Sequence, residues 1–441
     1  MPGRKGPIDE ARRLLRLAWP VVLAQLGMVF MGAVDLWMVA PLGEAATASL
    51  GLGNTYSFGL VILGLGAATG IDPLVTQAYG AGHPKEAGAA ALHGLVLVAL
   101  LSVPLTALHL VSPTVLGALG QPPELLPLAD TYCSINALGI PAFFAFAVVR
   151  QWLQGDGVMR PAMLVIGAGN GVNLLADALL VGPYGVAGVA WSTVIVRWSM
   201  LGALVWLTLP VLRRSWPDNP SVRGSDLARL ATIALPVSLQ NGLEIWAFSG
   251  ATIIAGFLGS TAVAAHVSAI NIVALAFMAA TGLSAAAATR VGNRVGAGES
   301  WTGSAVLSMV LVSGVMSFTG FLFLVFPEAI GRTYSSDPHV VSLVAAVLPI
   351  GAAFGLFDGV QVVAFGILRG LGDTRVPSLF NLIAYWTLGI PIGTWLALRT
   401  ELGLIGVWLG LALALVVVSG LLGLRIGWHA RAARPPHGSF P

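Results

Sequence analysis

Residues 20–82 recur without a gap at 236–298, 216 positions further on, and this internal repeat restricts the fold more than any single motif. Pro20-Val21-x-Leu23 falls on Pro236-Val237-x-Leu239 and Leu42-Gly43 on Leu258-Gly259. Gly66 falls on Gly282, and Gly80-Ala81-Gly82 on Gly296-Ala297-Gly298. At a slightly drifting offset, Gly155-x-Gly157-x-x-Arg160 answers Gly370-x-Gly372-x-x-Arg375, and Gly185-x-x-Gly188-Val189 answers Gly403-x-x-Gly406-Val407. Solenoid repeats have periods of about 20–50 residues. An interval this long means two copies of one large unit.

The solvent follows from how few charges there are to cover such units. Of 441 residues, 56% are hydrophobic and only 9% charged, against about a quarter charged in soluble domains. Apolar runs long enough to cross a bilayer, about 20 residues each, fall near 14–39, 46–71, 88–112, 127–152, 160–182, 187–211, 228–256, 262–288, 302–326, 339–368, 376–398 and 403–427. In lipid only helices and closed barrels satisfy their own backbone hydrogen bonds, and these runs are continuous, not alternating. The expectation is an all-α polytopic membrane protein with twelve transmembrane helices, retained in the cell (inner) membrane and embedded in the lipid bilayer.

Basic residues alternate in side. Arg4, Lys5, Arg12, Arg13 and Arg16 precede the first run, Arg213, Arg214, Arg223 and Arg229 surround the central loop, and Arg425, Arg431 and Arg434 close the chain. Lys85, Arg150, Arg160, Arg290, Arg294, Arg369 and Arg375 fall on that same side, and only Arg332 and Arg399 on the other. The positive-inside rule makes both termini cytoplasmic. The net charge of +3 reflects this bias and calls for no nucleic-acid partner. The first run is too long for a secretory signal and contains Asp35. The single cysteine, Cys133, makes neither a disulfide framework nor a cysteine metal site.

The polar stretch 213–226 separates an N-terminal six-helix lobe, 1–212, from a C-terminal one, 227–441. Six spans being an even number, both lobes enter the membrane from the same side, as in the parallel repeats of secondary transporters. Two like bundles enclose a cleft, and rocking one against the other exposes it to each side in turn. Function then belongs to polar groups inside the spans, since a carboxylate at bilayer depth costs about 2.5–3.5 kcal/mol. Asp35 lies late in the first run; Asn170, Asn173 and Asp177 lie in the fifth, the last two on one helical face. Glu244 follows Pro236 in the seventh, and Asp358 and Gln361 sit midway along the tenth. The competing reading is a helix-end cap or an interfacial ion pair.

Asp35, Glu244, Asp358 and Gln361 lie in VDLWMVAPLG (34–43), LPVSLQNGLE (235–244) and FDGVQVVAFGILRGLGDTR (357–375), which stand in order with QAYGAGH (77–83), LQGDGVMRPAM (153–163), GSTAVAAH (259–266) and RVGNRVGAG (290–298). In these motifs, whose order spans nearly the whole chain, the sequence resembles the multidrug and toxic compound extrusion (MATE) transporters, nearer the NorM-like branch. The resemblance implies two lobes around a central cavity and a monomer exporting organic cations or amphipathic drugs by antiport with H⁺ or Na⁺, with no cofactor. It implies that Asp35 is the first-helix acid, that Asn173 and Asp177, beside Asn170, belong to the N-lobe proton site, and that Glu244 and Asp358 bind the coupling cation in the C-lobe, Na⁺ included. Some relatives carry a tyrosine one turn before the span-ten acid, where this chain has Phe354, and that removes a hydroxyl ligand.

A carboxyl in a low-dielectric cleft takes up a proton more readily, whereas Na⁺ needs several oxygens. Trp246, Phe248, Phe354 and Gln361, near the acids, are the candidate substrate-cavity residues, while Trp19, Trp216, Trp301 and Trp428 at run ends read as an interfacial belt. His266 reads as a hydrogen-bonded structural histidine, and Asp156 and Asp373 as residues that orient turns. A lipid-linked oligosaccharide flippase of the same superfamily is the alternative; its cavity should be basic, yet Arg197 is the basic residue well inside a span. An intramembrane enzyme needs a metal or nucleophile–base motif, and no H-E-x-x-H or G-x-S-x-G occurs.

Overall fold

Twelve long helical segments follow the twelve apolar runs: α1 (Pro7–Leu42), α2 (Glu44–Gly80), α3 (Pro84–Leu110), α4 (Leu126–Gly155), α5 (Arg160–Tyr184), α6 (Val186–Ser215), α7 (Gly224–Phe257), α8 (Ser260–Gly296), α9 (Thr302–Val325), α10 (Pro338–Leu371), α11 (Arg375–Arg399) and α12 (Leu404–Ala432). The computed structural model describes residues 6–432, so Arg4, Lys5 and Arg434 lie outside the described residues. Among the described residues, eleven of the segments are long and apolar enough to cross a membrane. The other, α7, is a 34-residue helix whose apolar run is broken by Gln240, Asn241 and Glu244. No strand occurs among the described residues. Short helices not marked by the apolar runs, Ser112–Ala118 and Pro327–Tyr334, occupy corresponding places after α3 and α9, each with proline in its first turn, where the missing N–H costs nothing.

Three segments are interrupted. A turn at Gly70–Ile71 divides α2, a 3₁₀ turn at Ala137–Gly139 divides α4, and a π-helical stretch at Ala384–Gly389 divides α11. The last two have the same cause. Pro141 and Pro391 lack the N–H that would bond four residues back, and their rings crowd the carbonyls of Ala137 and Thr387.

Packing divides the chain into two compact units, one of Met1–Trp19 with Leu243–Pro441, the other of Pro20–Gly242. This division differs from the sequence boundaries at 212 and 227, because the first helix of each repeat contributes its leading half to the other repeat's unit. In the unit Pro20–Gly242, Leu230 and Ala234 of α7 join a core built on Phe144, Trp152, Ile71 and Ile166. A Cβ on Gly66 or Gly70 of α2 would strike the backbone of Ser238 or Ala234, so only glycine permits that approach. In the other unit, Leu14 and Ala18 of α1 pack with Ala280, Leu283, Ala287 and Val291 of α8. Leu14 and Ala18 are the repeat equivalents of Leu230 and Ala234, each 216 positions earlier.

Ion pairs fix the helix ends. Glu10, 6% exposed, accepts from Arg290 Nε and Nη2 (both 2.9 Å), Arg294 Nη2 (3.1 Å) and Ser304 Oγ (2.7 Å). The two arginines thus hold the start of α1. Its repeat equivalent, Asp226, is half-exposed and pairs with His93 at 3.9 Å. Asp156 binds Arg214 at 2.6 Å, and Asp373 binds Arg425 at 2.6 Å and His429 at 2.9 Å. Each turn acid therefore ties its turn to the end of the last helix in its repeat. Of the four expected belt tryptophans, Trp19, Trp216 and Trp428 are exposed. Trp301 is not: it is the N-cap of α9 and is buried in the core with Leu14 and Val291.

Candidate functional site

In the unit Pro20–Gly242, two close approaches assemble a polar cluster from three helices. A Cβ on Gly27 of α1 would lie 2.9 Å from Ile166 of α5, and one on Gly188 of α6 would strike the Leu180 carbonyl of α5. Glycine at both places lets α1 and α6 close on α5. Asn173 Nδ2 then donates to Asp35 Oδ1 at 2.9 Å and to Ser192 Oγ at 3.2 Å, and Ser192 Oγ donates to the Asn173 carbonyl at 3.3 Å. Asp177, one turn on from Asn173, is fully buried, and neither carboxyl oxygen has a hydrogen-bond partner among the described residues. Its charge acts on Asp35. Asn170 is not drawn into this network: its Nδ2 donates to the Ile166 carbonyl of its own helix at 2.9 Å, leaving Oδ1 unpartnered. Ser192 was not singled out in the sequence, where a serine in an apolar helix carries no signal.

The unit containing Leu243–Pro441 holds a second cluster. Glu244 of α7 accepts from Gln361 Nε2 of α10 at 3.3 Å and from Asn381 Nδ2 of α11 at 3.1 Å. Asp358 is 5% exposed. Four further oxygens here are buried without a partner among the described residues: Asp358 Oδ1, Gln361 Oε1, Asn381 Oδ1 and the Tyr385 hydroxyl. Tyr385 stands inside the π-helical stretch of α11, a distortion frequent at functional sites. Close packing of α11 on α12 at Gly389 and Ala414, and at Gly393 and Gly410, holds that stretch in place. Asn381 and Tyr385 escaped the sequence reading, although two polar residues four apart in an apolar run are a signal of a shared face.

Aromatic rings border this cluster. Phe248 meets Phe354 at 6.0 Å and Tyr385 at 5.8 Å, and Phe354 meets Trp408 at 5.4 Å. The hydroxyl missing at Phe354 is thus matched by the Tyr385 hydroxyl, brought in from a different helix. Trp246, two residues beyond Glu244, is 40% exposed and makes none of these ring contacts. His266 departs from expectation. It is fully buried against Trp408, ring centroids 5.8 Å apart, yet neither ring nitrogen has a hydrogen-bond partner among the described residues, because its neighbours are apolar.

Comparison with known proteins identifies the family. A family model described as MatE matches residues 20–179 and 236–395, once in each repeat. The chain is 34% identical over 413 residues to a probable multidrug resistance protein NorM of Rhodopseudomonas palustris, covering 90% of this chain and 87% of that one. It is 33% identical over 408 residues to the multidrug resistance protein PmpM of Pseudomonas aeruginosa, covering 88% and 84%. Among solved structures, the eukaryotic MATE transporter AtDTX14 has the same fold, with a TM-score of 0.89 at 21% identity over 98% of this chain and 99% of that one. A transporter of the MOP superfamily from Pyrococcus furiosus, whose description reports a binding pocket of reversed polarity, superposes with a TM-score of 0.88 at 20% identity over 97% of each chain. With a matching model in each repeat and a relative this similar over nine-tenths of its length, the chain belongs to the MatE family, whose members are membrane transporters and not enzymes.

Proposed function

We propose that this transporter is a secondary multidrug exporter in the cell membrane, with both termini cytoplasmic, that works as a monomer. It exchanges a cytoplasmic organic cation or amphipathic drug for external H⁺, the two six-helix lobes rocking to alternate access. The observation that carries this reading is the Asp35–Asn173–Ser192 network beside Asp177. A buried carboxylate with no partner is costly, and a proton on Asp177 or Asp35 removes that cost. Arrival of the proton also cancels a charge that attracts a cationic drug, so ion and drug compete for the site. The names of the NorM and PmpM relatives support the drug as cargo.

A second reading, Na⁺ coupling, is favoured by the oxygens around Glu244. Asp358, Gln361, Asn381 and Tyr385 each bring an unpartnered oxygen to that cluster, a donor set that suits a hard cation. The oligosaccharide flippase reading is disfavoured by the acids of both clusters, which would repel a lipid-linked phosphate.

Dye efflux in everted membrane vesicles, energised separately by a pH gradient and by a Na⁺ gradient, tests the two coupling readings. Export driven by the pH gradient alone supports the first reading, and export driven by Na⁺ alone the second. Efflux indifferent to both gradients removes antiport altogether.

A further inference from the structure

The leading half of α1 carries arginines that no ion pair uses. Along it, Ile8, Arg12, Leu15, Arg16 and Trp19 are all exposed, and their helical spacing puts them on one face. Glu10, Leu14 and Ala18, on the opposite face, are buried. They hold this half of the helix against Arg290, Arg294 and the core around Leu283 and Val291. Arg214, Arg290, Arg294 and Arg425 each close on a carboxylate. Arg12 and Arg16 close on none among the described residues. With Glu10 committed to α8, Asp9 is the other acid in this stretch, set against Arg12, Arg13 and Arg16.

The repeat shows that packing does not require this outward face. At 216 positions further on, the inward residues are kept in kind as Asp226, Leu230 and Ala234. The outward ones become Gly224, Ala228, Ala231, Thr232 and Leu235, without either arginine or the tryptophan. The equivalent half of α7 therefore packs with no such ridge. Nor does the face suit water, since a solvated helix turns its leucines and tryptophans inward. Arg12 stands just before the apolar run 14–39, Arg16 in its first turn, and Trp19 one turn deeper. That order, charge, then indole, then hydrocarbon, follows the gradient from headgroup to acyl chain in a bilayer leaflet.

We propose that Arg12 and Arg16 form a binding site for the headgroup of an anionic phospholipid of the cytoplasmic leaflet, such as phosphatidylglycerol. Residues four apart on a helix are surface neighbours, so both guanidiniums reach one phosphodiester, whose oxygens suit their planar forks. Leu15 and Trp19 lie against the glycerol and the acyl chains. A zwitterionic phospholipid offers the same phosphate but brings its own ammonium towards the arginines, so the site prefers a net negative headgroup. The bound lipid adds to the Glu10 bonds in holding the start of α1. The choice of leaflet rests on the cytoplasmic placement of the termini proposed above.

In the test, purified full-length protein in detergent is titrated with dioleoylphosphatidylglycerol, dioleoylphosphatidylcholine or inorganic phosphate while its thermal midpoint is followed. Wild type shows a saturable rise with phosphatidylglycerol that the other two do not reproduce. In the double variant Arg12→Gln, Arg16→Gln the half-saturating concentration increases about thirtyfold, the worth of two basic side chains at an anionic surface. The control double variant Arg223→Gln, Arg229→Gln removes two other exposed arginines of the same expected side. Its half-saturating concentration stays within about threefold of wild type, since neither arginine touches the lipid. No rise in wild type, an equal rise with phosphatidylcholine or with phosphate, or an equal loss in the two double variants overturns the proposal. Native Cys133 is buried, so an impermeant maleimide reports on Ile8→Cys. Labelling in right-side-out vesicles alone would overturn the cytoplasmic placement and move the site to the outer leaflet, while the detergent titration would still decide whether the site exists.

Discussion

At the scale of single residues, the acids separate by how they are satisfied. Asp35 receives an amide hydrogen bond, neither Asp177 oxygen has a well-formed one among the described residues, and Glu10 receives four. Asp35→Asn keeps the shape but removes the titrating group, and dye efflux in everted vesicles should fall by at least about tenfold, since a hydrogen bond to a charged group is worth about 1.5–3 kcal/mol. Efflux at the wild-type rate would remove Asp35 from the coupling mechanism. Glu10→Gln leaves the half-buried Arg290 without its carboxylate and Arg294 with only the exposed Glu299 at 3.9 Å, a loss of up to about 3–5 kcal/mol, visible as a drop in the apparent melting temperature in detergent. The half-exposed repeat equivalent behaves differently: Asp226→Asn should cost at most about 1 kcal/mol, as surface ion pairs do. Equal effects from the two variants would show that burial is not what distinguishes them. Asp35, Asn173, Asp177, Glu244 and Asp358 were legible because a polar group in an apolar run stands out. Asn381, Tyr385 and Ser192 stand out less, and only their cross-helix neighbours reveal their use.

At the scale of elements, glycines and prolines decide where helices touch and where they break. Gly66 lets α2 meet the backbone of α7 at Ser238, whereas Gly167 of α5 has nothing within 4 Å of the position of a Cβ. Gly66→Ala should therefore destabilise by about 1–3 kcal/mol, the usual cost of overpacking. Gly167→Ala should be neutral or raise stability by up to about 1 kcal/mol through helix propensity. Thermal scans of the two purified variants distinguish a close approach from an ordinary helical glycine, and equal midpoints would refute the packing at Ser238. The breaks in α4 and α11 have a visible cause in Pro141 and Pro391. Which distortion each proline produces, a 3₁₀ turn or a π stretch, depends on the packing of α4 and α11 on their neighbours and could not be read along the chain.

For the whole molecule, the repeat and the packing units do not coincide. Leu14 and Ala18 are core residues of the unit that holds Leu243–Pro441, and Leu230 and Ala234 are core residues of the unit Pro20–Gly242. Each repeat expressed alone lacks part of its own core. If the chain is cut in the loop 216–223, the two co-expressed fragments should therefore copurify in detergent, and either fragment alone should aggregate. Independent, monomeric folding of residues 1–219 would contradict the crossed packing.

The sequence by itself determined the solvent, the twelve helices, the duplication and the positions of the intramembrane acids. All of these follow from local quantities: run length, charge scarcity, and a polar residue set against apolar neighbours. It could not determine which carboxyl is bonded and which is bare, that α1 and α7 are each shared between units, or that Tyr385 stands near Glu244 where Phe354 offers no hydroxyl. Those depend on contacts between residues far apart in the chain, such as Asp35 with Asn173 and Glu244 with Asn381. A helical period states which face a residue occupies but not which helix lies opposite, and only the packed helices supply that partner.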